Sequence, residues 1–118
     1  MKSKAPAEVA TAAKVALEKT AEDLLVLDLA GLSSFTDYFL ICSARNPRQG
    51  QAISDEIQQR LGRRGVWPSH IEGYNQADWI LIDYVNFVVH IFSQKARVFY
   101  DLERLWRSAP RVSVGDAG

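Results

Sequence analysis

The stretch that most constrains the fold of this chain is DWILIDYVNFVVHIF, residues 78–92. It contains two runs rich in β-branched and aromatic residues, DWILIDY and FVVHIF, separated only by Val85 and Asn86. Runs of this composition are typical of β-strands, and a two-residue connection joins two strands as antiparallel neighbours. The sequence therefore predicts a β-hairpin in the second half of the chain.

The segments before the hairpin predict a helix and further strands. Pro6 can open a helix over residues 7–20, where the apolar side chains follow helical spacing. Two strand patterns come next, LLVLDL at 24–29 and SSFTDYFLIC at 33–42. The segment VWPSHIEG, at 66–73, is interrupted by a proline, so we expect an edge strand or an extended loop there.

A second helix is predicted to begin at Asn46 and Pro47. Asparagine is a favoured N-cap and proline a favoured first helical residue. Ile53, Ile57 and Leu61 follow at four-residue steps, which indicates the buried face of this helix.

A last helix is predicted from about Gln94 through KARVFYDLERLW, which completes the order α-β-β-α-β-β-β-α. This order implies an α/β fold with a mixed β-sheet and helices packed on it. The 118 residues suit one domain over 1–118, and 47% hydrophobic residues suffice for a core. We expect order over about 6–107 and a flexible tail over 108–118.

The overall composition excludes several classes of protein. Fourteen basic and fourteen acidic side chains cancel, so the chain is not built to coat nucleic acid or an anionic membrane. No apolar run approaches the ~20 residues of a membrane span. The only cysteine, Cys42, excludes an intrachain disulfide and fits a reducing compartment.

The position of the charges is more informative than their sum. Residues 45–64 contain five arginines, whereas residues 65–94 contain no Lys or Arg but carry Glu72, Asp78 and Asp83 among several aromatic residues. An acidic and aromatic surface repels phosphate and attracts a basic protein, with the aromatic side chains as anchors. The same aromatic residues could instead fill the core, and strand alternation allows both roles.

The segment CSARNPRQ, residues 42–49, raises the possibility of a nucleotide site. A helix N-terminus can hold phosphate, and strand carboxylates can hold the divalent metal that nucleotidyl transfer requires. The hairpin offers Asp83 alone, however, and the segment has Ala44 where glycine would ease close approach. A capped helix start with surface arginines is therefore the favoured interpretation.

Two other kinds of site, a metal site and an RNA-binding helix, have weaker support in the sequence. Cys42, His70 and His90 are too scattered for a zinc site, so no metal is expected. An RNA-binding regulator that uses the arginine-rich second helix stays open as an alternative.

Several segments in order carry a resemblance to a known family: SSFTDYFLICSARNPRQ, AISDEI, IEG, DWILIDYVNFVVHIF and ARVFYDLERLW. Together they resemble the ribosomal silencing factor family, also called RsfS or Iojap-like proteins. The resemblance covers residues from about 8 to 107, and the blocks FTDYF and FYDLERLW are its most specific parts.

This resemblance implies a nucleotidyltransferase-like fold without catalytic residues, and hence a protein that is not an enzyme and needs no cofactor. It implies binding to the large ribosomal subunit at ribosomal protein L-fourteen, which blocks subunit joining and represses translation. It also implies a homodimer when free and a bacterial cytoplasmic location rather than an organelle. The alternatives are a large-subunit assembly factor of the same family and a nucleotide-binding enzyme of the same fold.

The chain departs from the family pattern at two places. Ala44 stands where the family usually has glycine, and Val85-Asn86 stands where Gly-Asp is common. Because valine resists a positive φ, we expect a turn other than type I′, or a bulge, at Val85.

The resemblance and the charge pattern together predict a partner-binding set of Trp79, Leu81, Asp83 and Tyr84. The first three share one strand face by alternation, and Tyr84 lies on the other face unless the hairpin twists it round. Arg45 and Arg48 are predicted as possible contacts with nearby ribosomal RNA.

Overall fold

The structure is a computed structural model, and it describes residues 5–114. The described elements, in chain order, are α1 (Ala7–Glu18), β1 (Glu22–Asp28), β2 (Tyr38–Ala44), α2 (Pro47–Gly62), β3 (His70–Glu72), β4 (Trp79–Asp83), β5 (Phe87–Ser93), α3 (Gln94–Tyr100) and α4 (Leu102–Leu105).

The five strands form one mixed sheet in the order β1-β2-β5-β4-β3. The central pair β2 and β5 is parallel, and the other three pairs are antiparallel. The predicted hairpin of β4 and β5 is confirmed, with Ile80 opposite Ile91. The segment around His70 is the predicted edge strand, β3.

One face of the sheet is covered by α1 and α2. Ile53, Ile57 and Leu61 of α2 are fully buried against it, as their spacing predicts. The Asn46 side chain accepts a hydrogen bond from the Gln49 N–H at 2.8 Å, which confirms the predicted N-cap. This face contains the larger of the two apolar clusters, so it carries most of the core.

The second face of the sheet is covered by α3, α4 and the segment that follows them. Leu27, Phe39 and Phe92 are buried there, together with Leu102 of α4. These helices are short, so the cover is incomplete. The side chains that β4 contributes to this face are only partly buried.

The last helix is not continuous as predicted but divides at Asp101. This residue has a φ of 46°, a left-handed conformation that caps α3 and starts α4. Arg97 reinforces the break, because its guanidinium donates to the Glu103 carboxylate on α4, to the Ser43 hydroxyl and to the Asp23 carbonyl. These contacts tie both short helices to the sheet.

The prediction of a flexible tail from residue 108 is wrong for the residues that are described. The Asp28 N–H donates to the Pro110 carbonyl at 2.9 Å, and the Val112 N–H donates to the Val26 carbonyl at 2.9 Å. Ala109 and Val112 are buried. The segment therefore runs along the outer side of β1 and partly covers that sheet edge. Residues 115–118 lie outside the described part.

Within residues 5–114, no helix combines the length and the apolar character that crossing a bilayer requires.

Candidate functional site

Strand β4 places Trp79, Leu81 and Asp83 on the second face of the sheet. Ile80 and Ile82, between them, are fully buried on the first face. The alternation follows from the pleat of a strand, in which successive side chains point to opposite sides. The three residues predicted to share a face therefore do so, each partly exposed.

Trp79 is held in place by three neighbours. Its indole N–H donates a hydrogen bond to Nδ1 of His90 at 3.0 Å. The centre of its ring lies 4.9 Å from the ring centre of Phe92 and 4.7 Å from the ring centre of Tyr100 on α3. An aromatic side chain with a fixed orientation loses little entropy on binding, which suits an anchor for a protein partner.

His90 lies on β5 beneath the indole and is 3% exposed. Burial lowers the pKa of His90 to about 3, so its imidazole is neutral near pH 7. Because Nδ1 accepts from Trp79, the proton of the neutral ring resides on Nε2. Nε2 has no hydrogen-bond partner within the described residues, and the rings of Phe39 and His90 pack edge to face with their centres 4.4 Å apart.

The turn after Asp83 differs from the type I′ hairpin turn, as expected from its sequence. The Asn86 N–H donates to the Tyr84 carbonyl at 2.9 Å, and Val85 between them has a φ of 73°. This is a γ-turn, and the assumption that valine would avoid a positive φ is wrong here. The carboxylate of Asp83 accepts a hydrogen bond from the Val85 N–H at 2.8 Å and so supports the turn.

Tyr84 lies on the opposite side of the sheet from Asp83. It is 7% exposed and stacks on Phe87 at 4.8 Å. Burial raises the pKa of Tyr84 to about 12. The hairpin does not twist this side chain round, so Tyr84 does not share a surface with the other three predicted residues.

Edge strand β3 adds two residues that the prediction omitted. In the β3–β4 register, His70 lies opposite Asp83 and Glu72 lies opposite Leu81. Directly opposed residues share a face, so both exposed side chains join this surface. The His70 Nε2 lies 2.5 Å from a Glu72 carboxylate oxygen. We call the set Trp79, Leu81, Asp83, His70 and Glu72 the β4 surface. The sequence HIE shows the alternation that puts His70 and Glu72 on one face, but it does not reveal the register of β3 with β4.

A small cleft of about 140 Å³ opens on the β4 surface between Trp79, Leu81, Glu72 and Gly73. Gly73 has a φ of 77°, and a Cβ at this position would collide with the carbonyl oxygen of Trp79. Only glycine therefore permits this close approach of the loop to β4.

Side chains of the CSARNPRQ segment hydrogen-bond to backbone groups around the start of α2. The Gln49 side-chain carbonyl accepts from the Arg45 N–H at 2.6 Å, and its amide donates to the carbonyls of Lys19 and Thr20. The Asn46 side chain accepts the hydrogen bond from the Gln49 N–H. Two backbone donors at this helix start are thus engaged within the chain, which favours the interpretation as a helix start.

The two predicted RNA contacts lie at this helix start. The Arg45 guanidinium is exposed and lies 3.6 Å from the Glu22 carboxylate. Arg48 is exposed and has no ion pair with any described residue. Ala44, the departure from the family glycine, is buried against Gly50.

Cys42, His70 and His90 lie on three different strands, β2, β3 and β5. Cys42 is fully buried, and burial raises the pKa of its thiol to about 12. Among residues 5–114, no three or more His, Cys, Asp or Glu side chains come together in a way that could hold a metal ion.

The sequence did not predict an exposed apolar patch on the last two helices. Val98 and Phe99 of α3 and Leu105 of α4 are each more than 70% exposed. Tyr100 connects this patch to the indole of Trp79. Large apolar side chains exposed in one region are typical of interaction surfaces.

Comparison with known proteins identifies similar sequences and structures. The family described as "Ribosomal silencing factor during starvation" matches residues 2–117. The ribosomal silencing factor RsfS of Bacillus subtilis is 41% identical over 97 residues, which cover 82% of each protein. The mouse protein named "Mitochondrial assembly of ribosomal large subunit protein 1" is 29% identical over 92 residues, which cover 75% of this chain and 40% of that protein.

Two crystal structures share the fold. One, from Chromobacterium violaceum, superimposes with a TM-score of 0.81 at 28% identity, covering 85% of this chain and 84% of that one. The other, from Bacillus halodurans, has a TM-score of 0.77 at 37% identity, covering 90% and 94%.

Proposed function

The chain belongs to the ribosomal silencing factor family, and we propose that it binds the large ribosomal subunit at ribosomal protein L-fourteen, blocks subunit association and so represses translation. The bacterial relatives are named as silencing factors and not as enzymes. A protein with this role works in the cytoplasm of a bacterium, where the subunits join.

The observation that carries the proposal is the preorganised β4 surface. It combines a fixed indole, Trp79, with the apolar Leu81 and the carboxylates of Glu72 and Asp83. Ribosomal proteins are generally basic, so carboxylates at the edge of an aromatic anchor provide electrostatic complementarity. The small cleft beside Trp79 and Leu81 provides room for a side chain of the partner.

Two further contacts belong to the same proposal. Arg45 and Arg48 are exposed at the start of α2, where they are available to phosphates of ribosomal RNA. The exposed patch of Val98, Phe99 and Leu105 supports a homodimer of the free protein, because burying such side chains favours association.

Sedimentation tests the proposal directly. The purified protein is mixed with separated ribosomal subunits and with joined ribosomes, and each mixture is fractionated on a sucrose gradient. We expect the protein in the fraction of free large subunits, and we expect fewer joined ribosomes when it is added before the subunits are mixed. Equal recovery from joined ribosomes and free large subunits would contradict the blocking mechanism.

A role in large-subunit assembly is the second candidate, and the printed name of the mouse relative favours it. This role and silencing predict different defects in cells that lack the protein. Loss of an assembly factor leaves incomplete large subunits, whereas loss of a silencing factor leaves complete subunits that stay joined during starvation. Analysis of the protein content of free large subunits from such cells distinguishes the two.

A nucleotide-binding enzyme of the same fold would need a phosphate site at the start of α2 and a metal site at Asp83, and the hydrogen bonds at both places disfavour it. The Arg45 and Gln49 N–H groups of the CSARNPRQ segment are already engaged by the side chains of Gln49 and Asn46. The carboxylate of Asp83 supports the Val85 turn instead. Calorimetry with ATP and Mg²⁺ tests this alternative, and micromolar binding would revive it.

A further inference from the structure

A groove on the first face of the sheet belongs to neither the β4 surface nor the CSARNPRQ segment. It lies where the parallel strands β2 and β5 begin, between the start of α1 and the segment after α2. We call it the Trp67 groove and define it by six of its lining residues: Glu8, Asp37, Tyr38, Trp67, Tyr84 and Phe87. Its volume of about 570 Å³ is in the range of sites for small molecules.

Aromatic side chains form much of its wall. Tyr84 and Phe87 stack at an interplanar angle of 16° and form a flat, buried part of the wall. Trp67 stands at its rim with 69% of its surface exposed, although tryptophan is usually well buried. Aromatic faces attract cations through their negative quadrupole.

The groove is also negatively charged. Glu8 is half-buried and Asp37 is exposed, and neither carboxylate has an ion pair or a hydrogen bond with any residue in 5–114. The lining includes no Lys or Arg from that range, and the nearby Arg64 donates instead to the Thr11 hydroxyl. Burial raises the pKa of Tyr38, and the nearby carboxylates of Asp28 and Asp37 raise it further.

The wall also holds an unused polar group. The hydroxyl of Tyr84 is buried and has no hydrogen-bond partner in the described residues. A buried polar group without a partner is uncommon in folded proteins, so this hydroxyl has unused hydrogen-bonding capacity. Its raised pKa keeps this phenol neutral, so the negative charge of the groove comes from the two carboxylates.

We propose that the Trp67 groove binds a small organic cation, a free alkylammonium or guanidinium compound. The aromatic rings of Trp67 and Tyr38 contact the cation, and Glu8 and Asp37 neutralise its charge. The site lies on the opposite face of the sheet from Trp79, so it goes beyond the proposed ribosomal function and does not rest on it.

Nuclear magnetic resonance of the full ¹⁵N-labelled chain tests this site. Tetramethylammonium chloride is titrated in, and a parallel titration with sodium chloride holds the ionic strength equal. We expect saturable shifts of the Trp67 indole N–H and of the backbone at Tyr38 and Phe87, while the indole signals of Trp79 and Trp106 stay in place. Shifts that are the same in both salts, or that do not saturate, would overturn the proposal.

Variants with matched controls assign the contacts. Trp67→Ala should weaken binding of tetramethylammonium at least fivefold, whereas Phe99→Ala, which removes another highly exposed ring, should leave it unchanged. Asp37→Asn should weaken it at least threefold, whereas Asp83→Asn, the same loss of charge on the other face, should have no effect. Equal effects of variant and control would show that the cation is not bound in this groove.

Two more measurements identify the source of the cation. If the groove held a basic side chain of the ribosome, Trp67→Ala would weaken binding to the large subunit; a free compound predicts no change. If it held the chain's own Lys2 or Lys4, the double substitution Lys2→Gln and Lys4→Gln would strengthen tetramethylammonium binding severalfold. Either of these two effects would overturn the proposal of a free ligand.

Discussion

The indole N–H of Trp79 on β4 donates a hydrogen bond to Nδ1 of His90 on β5, across 3.0 Å. The two residues are diagonal neighbours, since Leu81 is the residue directly opposite His90. A buried, neutral imidazole thus fixes the orientation of the most prominent aromatic side chain of the β4 surface. His90 has the role of a positioning residue in the proposed function.

Trp79→Ala should weaken binding to the large subunit by about 2 kcal/mol or more, the usual size of a hot spot. It should also lower the free energy of unfolding by about 1–2 kcal/mol, because it leaves Nδ1 of the buried His90 unpaired. Gradient binding and chemical denaturation measure the two effects. Trp67→Ala, on the other face, is the control, and an equal loss of subunit binding in that variant would contradict the assignment.

Asp83→Asn should weaken subunit binding about ten- to a hundredfold, since a hydrogen bond to a charged group contributes roughly 1.5–3 kcal/mol. The amide oxygen still accepts from the Val85 N–H, so the melting temperature should change little. Asp37→Asn removes the same charge away from the β4 surface and should bind like the unsubstituted protein. If Asp83→Asn also binds normally, Asp83 is not part of the interface.

His90 should make the fold acid-sensitive. The pKa of His90 is about 3 in the folded state, where the ring is buried, and 6.5 in the unfolded chain, where it is exposed. At a pH between these values the unfolded chain binds a proton at His90 that the folded chain does not. The free energy of unfolding should therefore fall by about 1.4 kcal/mol per pH unit as the pH drops below 6.5. Comparing pH 8 with pH 5 by denaturation, we expect a loss of about 2 kcal/mol from this group.

His90→Leu should abolish most of that loss, because the leucine does not titrate. His70→Gln, which removes an exposed histidine, should retain it. A wild-type stability that is equal at pH 8 and pH 5 would show that the imidazole is less buried than the structure has it.

Val85→Gly should stabilise the protein by about 1 kcal/mol. A β-branched residue with a positive φ is strained by about 1–3 kcal/mol, and glycine relieves this at a smaller cost in entropy. Asn86→Gly is the matched control in the same turn and should not stabilise. A lower melting temperature for Val85→Gly would mean that the valine side chain makes contacts that outweigh the strain.

The elements that depend on local patterns were predictable from the sequence. Asn46 caps α2, the spacing of Ile53 and Leu61 identifies its buried face, and the alternation in β4 separates Trp79 from Ile80. Each of these follows from the period of a helix or a strand, which neighbouring residues determine together. The resemblance to the family also depended on such short blocks.

The tertiary structure decided what depends on residues far apart in the chain. The register of β3 brings His70 and Glu72 beside Asp83 and Leu81, and the pairing of Val112 with Val26 orders a segment whose composition predicted a flexible tail. The break at Asp101 and the positive φ of Val85 are likewise maintained by contacts with the sheet. Local propensities amount to less than about 1 kcal/mol per residue, so packing and hydrogen bonds between distant segments override them.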